Sequence, residues 1–284
     1  MPANPTNPRG IAAYKKNLGN DAVTPPKLSE SMRKYTRCSF QNAGNFWPLA
    51  GYGTPSGTAQ TINYGSFPAD IGGTLPIAYA ALGAGQTIVA PTFSSAGVNW
   101  ALDQTNNEGV EVVYGGNTAR GKHAYTVGSG PEGTNGFFAK LTMNIGTVIG
   151  TDTWLFGFRI NQALAAAYTD YTDYATFAIL TAADPALIQT KTRLNTGTAV
   201  TVSTTQTVAD GVAVTFEIQV NKAGRVKFLL NGANPTALGA NIAFTFDAGD
   251  VVYPFRHFLN DTGLMATNPD TFFESGYLPE RNQS

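Results

Sequence analysis

The residues able to do acid–base chemistry are few enough to weigh one by one. Glu108 and Glu111 stand three apart around a glycine turn, and Glu217 is alone in a strand-like run. Glycan hydrolysis needs two carboxylates held about 5–9 Å apart across the bond. An E-x-D-x-x-E strand spacing would supply such a pair, and the sequence contains none. A serine-type nucleophile needs a base beside it. The only histidines, His123 and His257, are in no such motif, and His257 reads as a sheet-face histidine with a hydrogen-bonded partner. Cys38 is the single cysteine, so it forms no internal disulfide and reads as a tolerated thiol. Asp170 and Asp173 in DYTDY, with Asp184 downstream, are the best acidic cluster. Calcium needs several converging oxygens, and a solvated loop accounts for these aspartates better. Asp247 and Asp250 flank a turn, where Asp bonds its own backbone. No glycine-rich phosphate loop is followed by a helix. The reading is no catalytic residue, no metal, no cofactor, and therefore no enzyme.

The aromatic candidates for binding are Trp47, Trp100, Trp154, Tyr168, Tyr171 and Tyr174. Trp100 and Trp154 fall in strand-like runs and read as core or sheet face. Tyr168, Tyr171 and Tyr174 recur every third residue with Asp between them, so a loop would present them as a polar aromatic surface. Aromatic enrichment marks protein interfaces, which is preferred here over a sugar site.

The elements that must position these groups are strands. In VTFEIQVNKAGRVKFLLN, residues 214–231, Val214, Phe216, Ile218 and Val220 alternate with polar residues; Asn221 to Gly224 then turn the chain, and Val226, Phe228 and Leu230 resume the alternation. Period-two patterning means a hairpin with one face on a core, and Gly224 supplies the positive φ of the turn. Similar runs predict strands at 87–90, 98–102, 110–114, 123–127, 136–144, 152–160, 176–181, 187–194, 199–205, 212–220, 225–230, 243–246, 251–259 and 271–278. Short strands separated by Gly, Asn and Asp clusters predict a two-sheet sandwich. Pro254 implies an edge strand or a bulge. The one helical candidate in this part is Asn161 to Ala167.

Residues 1–75 lack sustained periodicity and are rich in Pro, Gly and Asn. Prolines remove donors and disfavour helix in their predecessors, so an extended arm is expected, with one short helix around Leu28 to Arg37. Ordering each residue costs ~1–2 kcal/mol, which apolar side chains this sparse do not offset without a surface to lie on. Residues 1–40 carry Arg9, Lys15, Lys16, Lys27, Arg33, Lys34 and Arg37 against Asp21 and Glu30, which is seven minus two, or +5. The whole chain is −1, so the remainder is −6. A basic arm on an acidic body implies an acidic partner surface; the charge is too dilute for nucleic acid. Only 13% of residues are charged, about half the usual share, which suits a rigid β-structure that meets other proteins. The start, MPANPTNPRG, has no apolar signal core, and the apolar stretch at Ile77 to Leu82 is too short for a membrane span. A soluble protein made in a cytoplasm is expected.

Four segments in order resemble a family of bacteriophage virion proteins with a concanavalin A-like jelly roll: NWALDQTNNEGVEVVYGG (99–116), GFFAKLTMNIGTVIGTDTWLFGFR with DYTDYATFAIL (136–159 and 170–180), DGVAVTFEIQVNKAGRVKFLLNGANP (210–235) and FTFDAGDVVYPFRHFLNDT (244–262). The resemblance spans roughly residues 90–278. It implies an all-β fold, a concanavalin A-like jelly-roll β-sandwich over residues 76–284, with the mostly irregular arm at 1–75 outside the match. It implies a particle component, most often a capsid decoration or cement protein on the virion exterior. On this reading the basic arm contacts the major capsid protein, the chain self-associates as a dimer or trimer, and neighbouring coat subunits are clamped. The alternative is a tail or fibre component that binds a host-surface glycan or receptor.

Overall fold

The computed structural model describes residues 124–128, 136–163, 165, 167–181, 183–235, 237, 243–260 and 270–278, with the strand segments 36–39, 59–65, 74–82, 92–94, 97–99 and 109–114. Its strands are β1 (Thr36–Ser39), β2 (Ala59–Gly65), β3 (Thr74–Leu82), β4 (Thr92–Ser94), β5 (Gly97–Asn99), β6 (Gly109–Tyr114), β7 (Tyr125–Thr126), β8 (Phe137–Asn144), β9 (Thr151–Ile160), β10 (Tyr174–Ile179), β11 (Ala186–Arg193), β12 (Val200–Val208), β13 (Ala213–Val220), β14 (Val226–Leu230), β15 (Val251–Asn260) and β16 (Asp270–Tyr277). The fold is all-β, a jelly-roll sandwich of two antiparallel sheets. The smaller sheet runs β14-β13-β8-β16-β5-β4, with β1 on β16. The larger runs β12-β11-β10-β9-β15-β6-β3-β2, with β7 on β15.

Alternation builds the core. Every second residue of β8 and β13 is buried, and these face the inward residues of β9 and β10. Trp154 meets Phe216 with ring centroids 4.6 Å apart, and Phe177 packs on Phe216 and Phe228 at 5.2 Å each. The hairpin turn forms as its sequence requires: Gly224 has φ +83°, and Asn221 Oδ1 accepts the Ala223 and Arg225 N–H groups.

Several expectations need correction. Residues 1–75 are not all arm: β1 joins the smaller sheet and β2 the larger. The boundary at 75 cuts the β2–β3 ladder, where Tyr64 lies opposite Leu75 and Gly65 opposite Thr74. The helix expected at Leu28 to Arg37 ends in β1, where Arg37 lies opposite Glu274; its earlier residues lie outside the described ones, as do Arg9, Lys15, Lys16, Lys27, Arg33 and Lys34. Asn161 to Ala167 is not helical where described. It leads into a single 3-10 turn at Tyr168–Asp170, because its polar groups bond to the sheet and to Tyr171 rather than to one another. The 243–246 strand reduces to one bridge, Arg225 with Thr245. Pro254 sits in an interior strand, not an edge. β15 pairs with β9 along one side. On the other side it pairs with β7 at 251–252 and with β6 only from 255. Pro254 lies in that gap, where its missing N–H breaks no ladder bond.

Candidate functional site

The site is on the outer face of the larger sheet, the face turned away from the sandwich core. Val110, Val112 and Tyr114 of β6 point inward, so alternation turns Glu111 and Val113 outward. Registers of β15, β9, β10 and β11 place three ranks beside each other: Glu111 by His257 and Leu155; Phe255 by Gly157 and Thr176, with Lys191 next; Tyr253 by Arg159 and Tyr174, with Arg193 next.

Glu111 is the hub. Its Oε1 accepts Arg159 Nε–H at 2.9 Å, and Arg159 Nη2 is also 2.9 Å away. The Tyr171 hydroxyl lies 2.9 and 2.8 Å from its two oxygens. His257 Nδ1 is 3.6 Å from Oε2, beyond hydrogen-bonding distance. The Arg159 guanidinium also stacks 4.2 Å from the Tyr171 ring centroid. Glu111, Arg159, Tyr171 and His257 are all at most 1% exposed. Burial pushes the Glu111 carboxyl up, but His257, Arg159 and Tyr171 together hold it below the ordinary carboxylate value.

This cluster fastens the 161–173 loop to the sheet. Arg159 Nη1 donates to the Ile160 and Gln162 carbonyls. The Ala165 N–H donates to the Tyr171 hydroxyl oxygen. Gln162 Oε1 accepts from the Thr172 N–H and hydroxyl. From the far side, Arg193 reaches the carbonyls of Thr169, Tyr171, Thr196 and Gly197. The loop thereby sets Tyr168 edge-on against His257 at 5.5 Å and Tyr174 at 6.0 Å. Lys191 Nζ donates to the Tyr168 hydroxyl at 2.9 Å and sits 5.0 Å from its ring centroid.

The expected display of three tyrosines reduces to one ring. Tyr168 is half-buried, while Tyr171 and Tyr174 are sealed under the loop because one bonds Glu111 and the other packs on the sheet. Burial pushes the Tyr174 and Tyr253 hydroxyls up to about 12, so both remain protonated at neutral pH. Neither hydroxyl, and neither His257 nitrogen, has a hydrogen-bond partner among the described residues. In place of the hydrogen-bonded partner expected for His257, the Glu111 carboxylate lies 3.6 Å from its Nδ1. Trp154 is core. Trp47, Trp100 and His123 lie outside the described residues, and Cys38 is on β1 opposite Phe273.

The aspartates hold loops, through backbone and neighbouring side chains. Asp173 Oδ1 accepts the Asn195 N–H, and its Oδ2 accepts the Thr172 hydroxyl. Asp247 and Asp250 close their own turn, since the Asp250 N–H donates to the Asp247 carbonyl and Asp250 Oδ2 accepts the Asp247 N–H. Among the described residues no three His, Cys, Asp or Glu side chains converge as metal ligands. Sequence reasoning missed Glu111 and Arg159 as partners. The available signal was a lone Glu in an otherwise Val-rich strand, GVEVVY, since an acid there needs a cation opposite.

No family model matches the sequence, and no curated protein matches it. Solved structures with a similar backbone include the carbohydrate recognition domain of Emp47p, at 8% identity and TM-score 0.46, over 82% of this chain and 94% of that one. They include an alginate lyase from Pseudomonas aeruginosa, at 12% identity and TM-score 0.42, over 66% and 82%. They also include a protein of unknown function from Shewanella oneidensis, at 9% identity and TM-score 0.48, over 98% and 97%. Likeness at these identities and scores carries no residue correspondence.

Proposed function

We propose that the protein is a non-catalytic carbohydrate-binding β-sandwich whose ligand surface lies on the outer face of the larger sheet, beside the 161–173 loop. The observation that carries this reading is the fastened Tyr168: a half-buried ring held next to the Lys191 ammonium. The neighbouring outward positions are Gln189, Thr201 and Ser203. A sugar offers an apolar C–H face and a rim of hydroxyls. A planar ring flanked by ammonium, amide and hydroxyl groups complements both. Because the loop is already held by Glu111 and Arg193, little ordering cost falls on binding. A binding role is preferred over catalysis because a general base must come within hydrogen-bond reach of its substrate. Glu111 and His257 are instead sealed, and Glu111 is engaged by Arg159 and Tyr171.

The test is a panel of neutral and acidic polysaccharides in a co-sedimentation assay, with Tyr168→Ala and Lys191→Ala as variants. Each substitution is expected to weaken binding at least tenfold while the circular dichroism spectrum is retained. Absence of binding across the panel, or binding indifferent to both changes, refutes the assignment.

A second reading is favoured by the four-segment resemblance and the basic N-terminal stretch: a decoration protein on a bacteriophage head, with the major capsid protein as partner. The strands β1 and β2 would anchor that stretch to the body at two points. Counting copies per particle by quantitative mass spectrometry separates the readings, since hundreds fit a head protein and a handful fit a glycan-binding tail component.

A further inference from the structure

The two sheets end differently. At β14, the edge of the smaller sheet, the chain covers its own backbone: the Val226 N–H donates to the Phe244 carbonyl and the Phe246 N–H to the Gly224 carbonyl. Exposed Lys227 and Arg225 add charge there. At β12, the edge of the larger sheet, no described strand pairs on the far side. Its sequence, VTVSTTQTV, has no charge and no proline, and Val200 is 56% exposed. Such an edge is a template for another strand, and charge, proline or a covering segment is the usual defence. A bulge does interrupt β12 opposite Leu187 and Gln189. It is closed from within, by the Thr204 hydroxyl donating to the Ile188 carbonyl and accepting the Gln206 N–H. Among the described residues nothing pairs with the segments on either side, where Thr201 and Thr207 are exposed and Val208 is buried.

Outside the bulge these segments read the same in both directions at their ends, Val200 mirroring Val208 and Thr201 mirroring Thr207, while Val202 stands against Gln206. Thr201 lies opposite Lys191 and Thr207 opposite Leu187. Those β11 positions are an even number of residues apart, so both threonines are on the outer face, and both are exposed. We propose that β12 pairs antiparallel with β12 of a second copy about a two-fold axis, so that Thr201 faces the partner's Thr207 and Val200 the partner's Val208. A two-fold contact must be self-complementary. The mirrored sequence meets that condition: Val–Val and Thr–Thr pairs are favourable across antiparallel strands, and no like charges meet. The pairing makes one continuous sheet from both larger sheets and sets two Tyr168–Lys191 surfaces on one face. Only that last consequence rests on the carbohydrate reading.

The test is the mass of the full chain in solution by sedimentation and light scattering, without any glycan. The unmodified protein is expected to be a dimer. Thr201→Glu with Thr207→Glu sets Glu against Glu twice and is expected to halve the mass. Thr201→Glu with Thr207→Lys sets Glu against Lys twice and is expected to restore the dimer. Glu at 201 sits beside the chain's own Lys191, which favours folding, and thermal melts check it. If the double-Glu chain fails to fold, Thr201→Cys with Thr207→Cys in a Cys38→Ser background gives a second readout, an intermolecular disulfide under oxidising conditions. A monomeric unmodified protein, equal masses for the two charge variants, or no cross-link overturns the proposal.

Discussion

The two faces of the larger sheet are buried to a similar degree by opposite means. The inward face is mainly aromatic: Trp154, Phe156, Phe158 and Phe177 meet the smaller sheet, and among the described residues the one charged side chain on this face is Arg256, in register with Phe156 and Val112. The outward face of the same sheet buries Glu111 of β6, Arg159 of β9 and His257 of β15 beside Tyr171. Dispersion and water exclusion close the first, and they tolerate small changes of shape. Charge pairing closes the second, where each group is costly to bury unless all its partners are present. The first face therefore makes the fold, and the second fixes one loop in one place.

The sharpest way to break the inward face is Phe156→Ala. Its ring is fully buried, so the substitution leaves a cavity between the sheets. A loss of ~3–5 kcal/mol is expected, read as a lower urea midpoint at unchanged slope. A loss below ~1 kcal/mol would mean that the sheets close over the gap and that the core is looser than a protein interior should be.

The outward face is tested by removing one partner and then two. Glu111→Leu strands the Arg159 guanidinium in a buried site and is expected to cost ~3–5 kcal/mol. Glu111→Leu combined with Arg159→Met removes both charges and is expected to recover much of that loss. The loop should still be released in the double variant, because the Arg159 contacts to the Ile160 and Gln162 carbonyls are gone. Faster amide exchange at 161–173 than in β9 is the readout. The pH dependence carries the same signature. The Glu111 carboxyl is held below its ordinary 4.5 in the fold. Its share of stability is therefore complete above pH 4.5 and is lost as pH falls through the lower folded value. The unmodified chain should lose more melting temperature across that acid range than the charge-free double variant does. Equal losses would mean that other carboxylates dominate acid unfolding.

The contrast also explains what the sequence reveals. Alternation in 214–220 and 226–230 depends on neighbours along the chain, so the hairpin and the sandwich are legible. Glu111 and its partners are not, because Arg159 is 48 residues away and Tyr171 is 60, and no periodicity links them. The Tyr168, Tyr171 and Tyr174 spacing correctly picks out one locality, but it cannot say which rings face water. That depends on Glu111 accepting from one of them. Pro254 misleads for a similar reason. Its tolerance in an interior strand depends on where β7 stops and β6 begins, which local patterning does not encode. The short β1 and β2 have no strong pattern of their own and form against β16 and β3, so an arm is the natural expectation for their segment.

The smallest effect calibrates the comparison on the outer surface of the other sheet. Lys140 and Glu274 approach to 4.0 Å there, with a third of the Lys140 side chain exposed. Water screens this pair, and both side chains give up rotamers to hold it, so Lys140→Ala is expected to cost no more than ~0.2–1 kcal/mol. The residue lies on β8 beside Glu217 and Glu274, so losing its charge removes an attraction to both carboxylates, which also sets the sign as destabilising. High salt should shrink the difference between the two chains, because exposed charges are screened within ~10 Å at ordinary ionic strength. The Glu111 substitutions should keep their cost in the same salt, since no ion reaches a sealed pair. If salt erases both differences alike, the Glu111 cluster is open to solvent and the contrast between the faces fails.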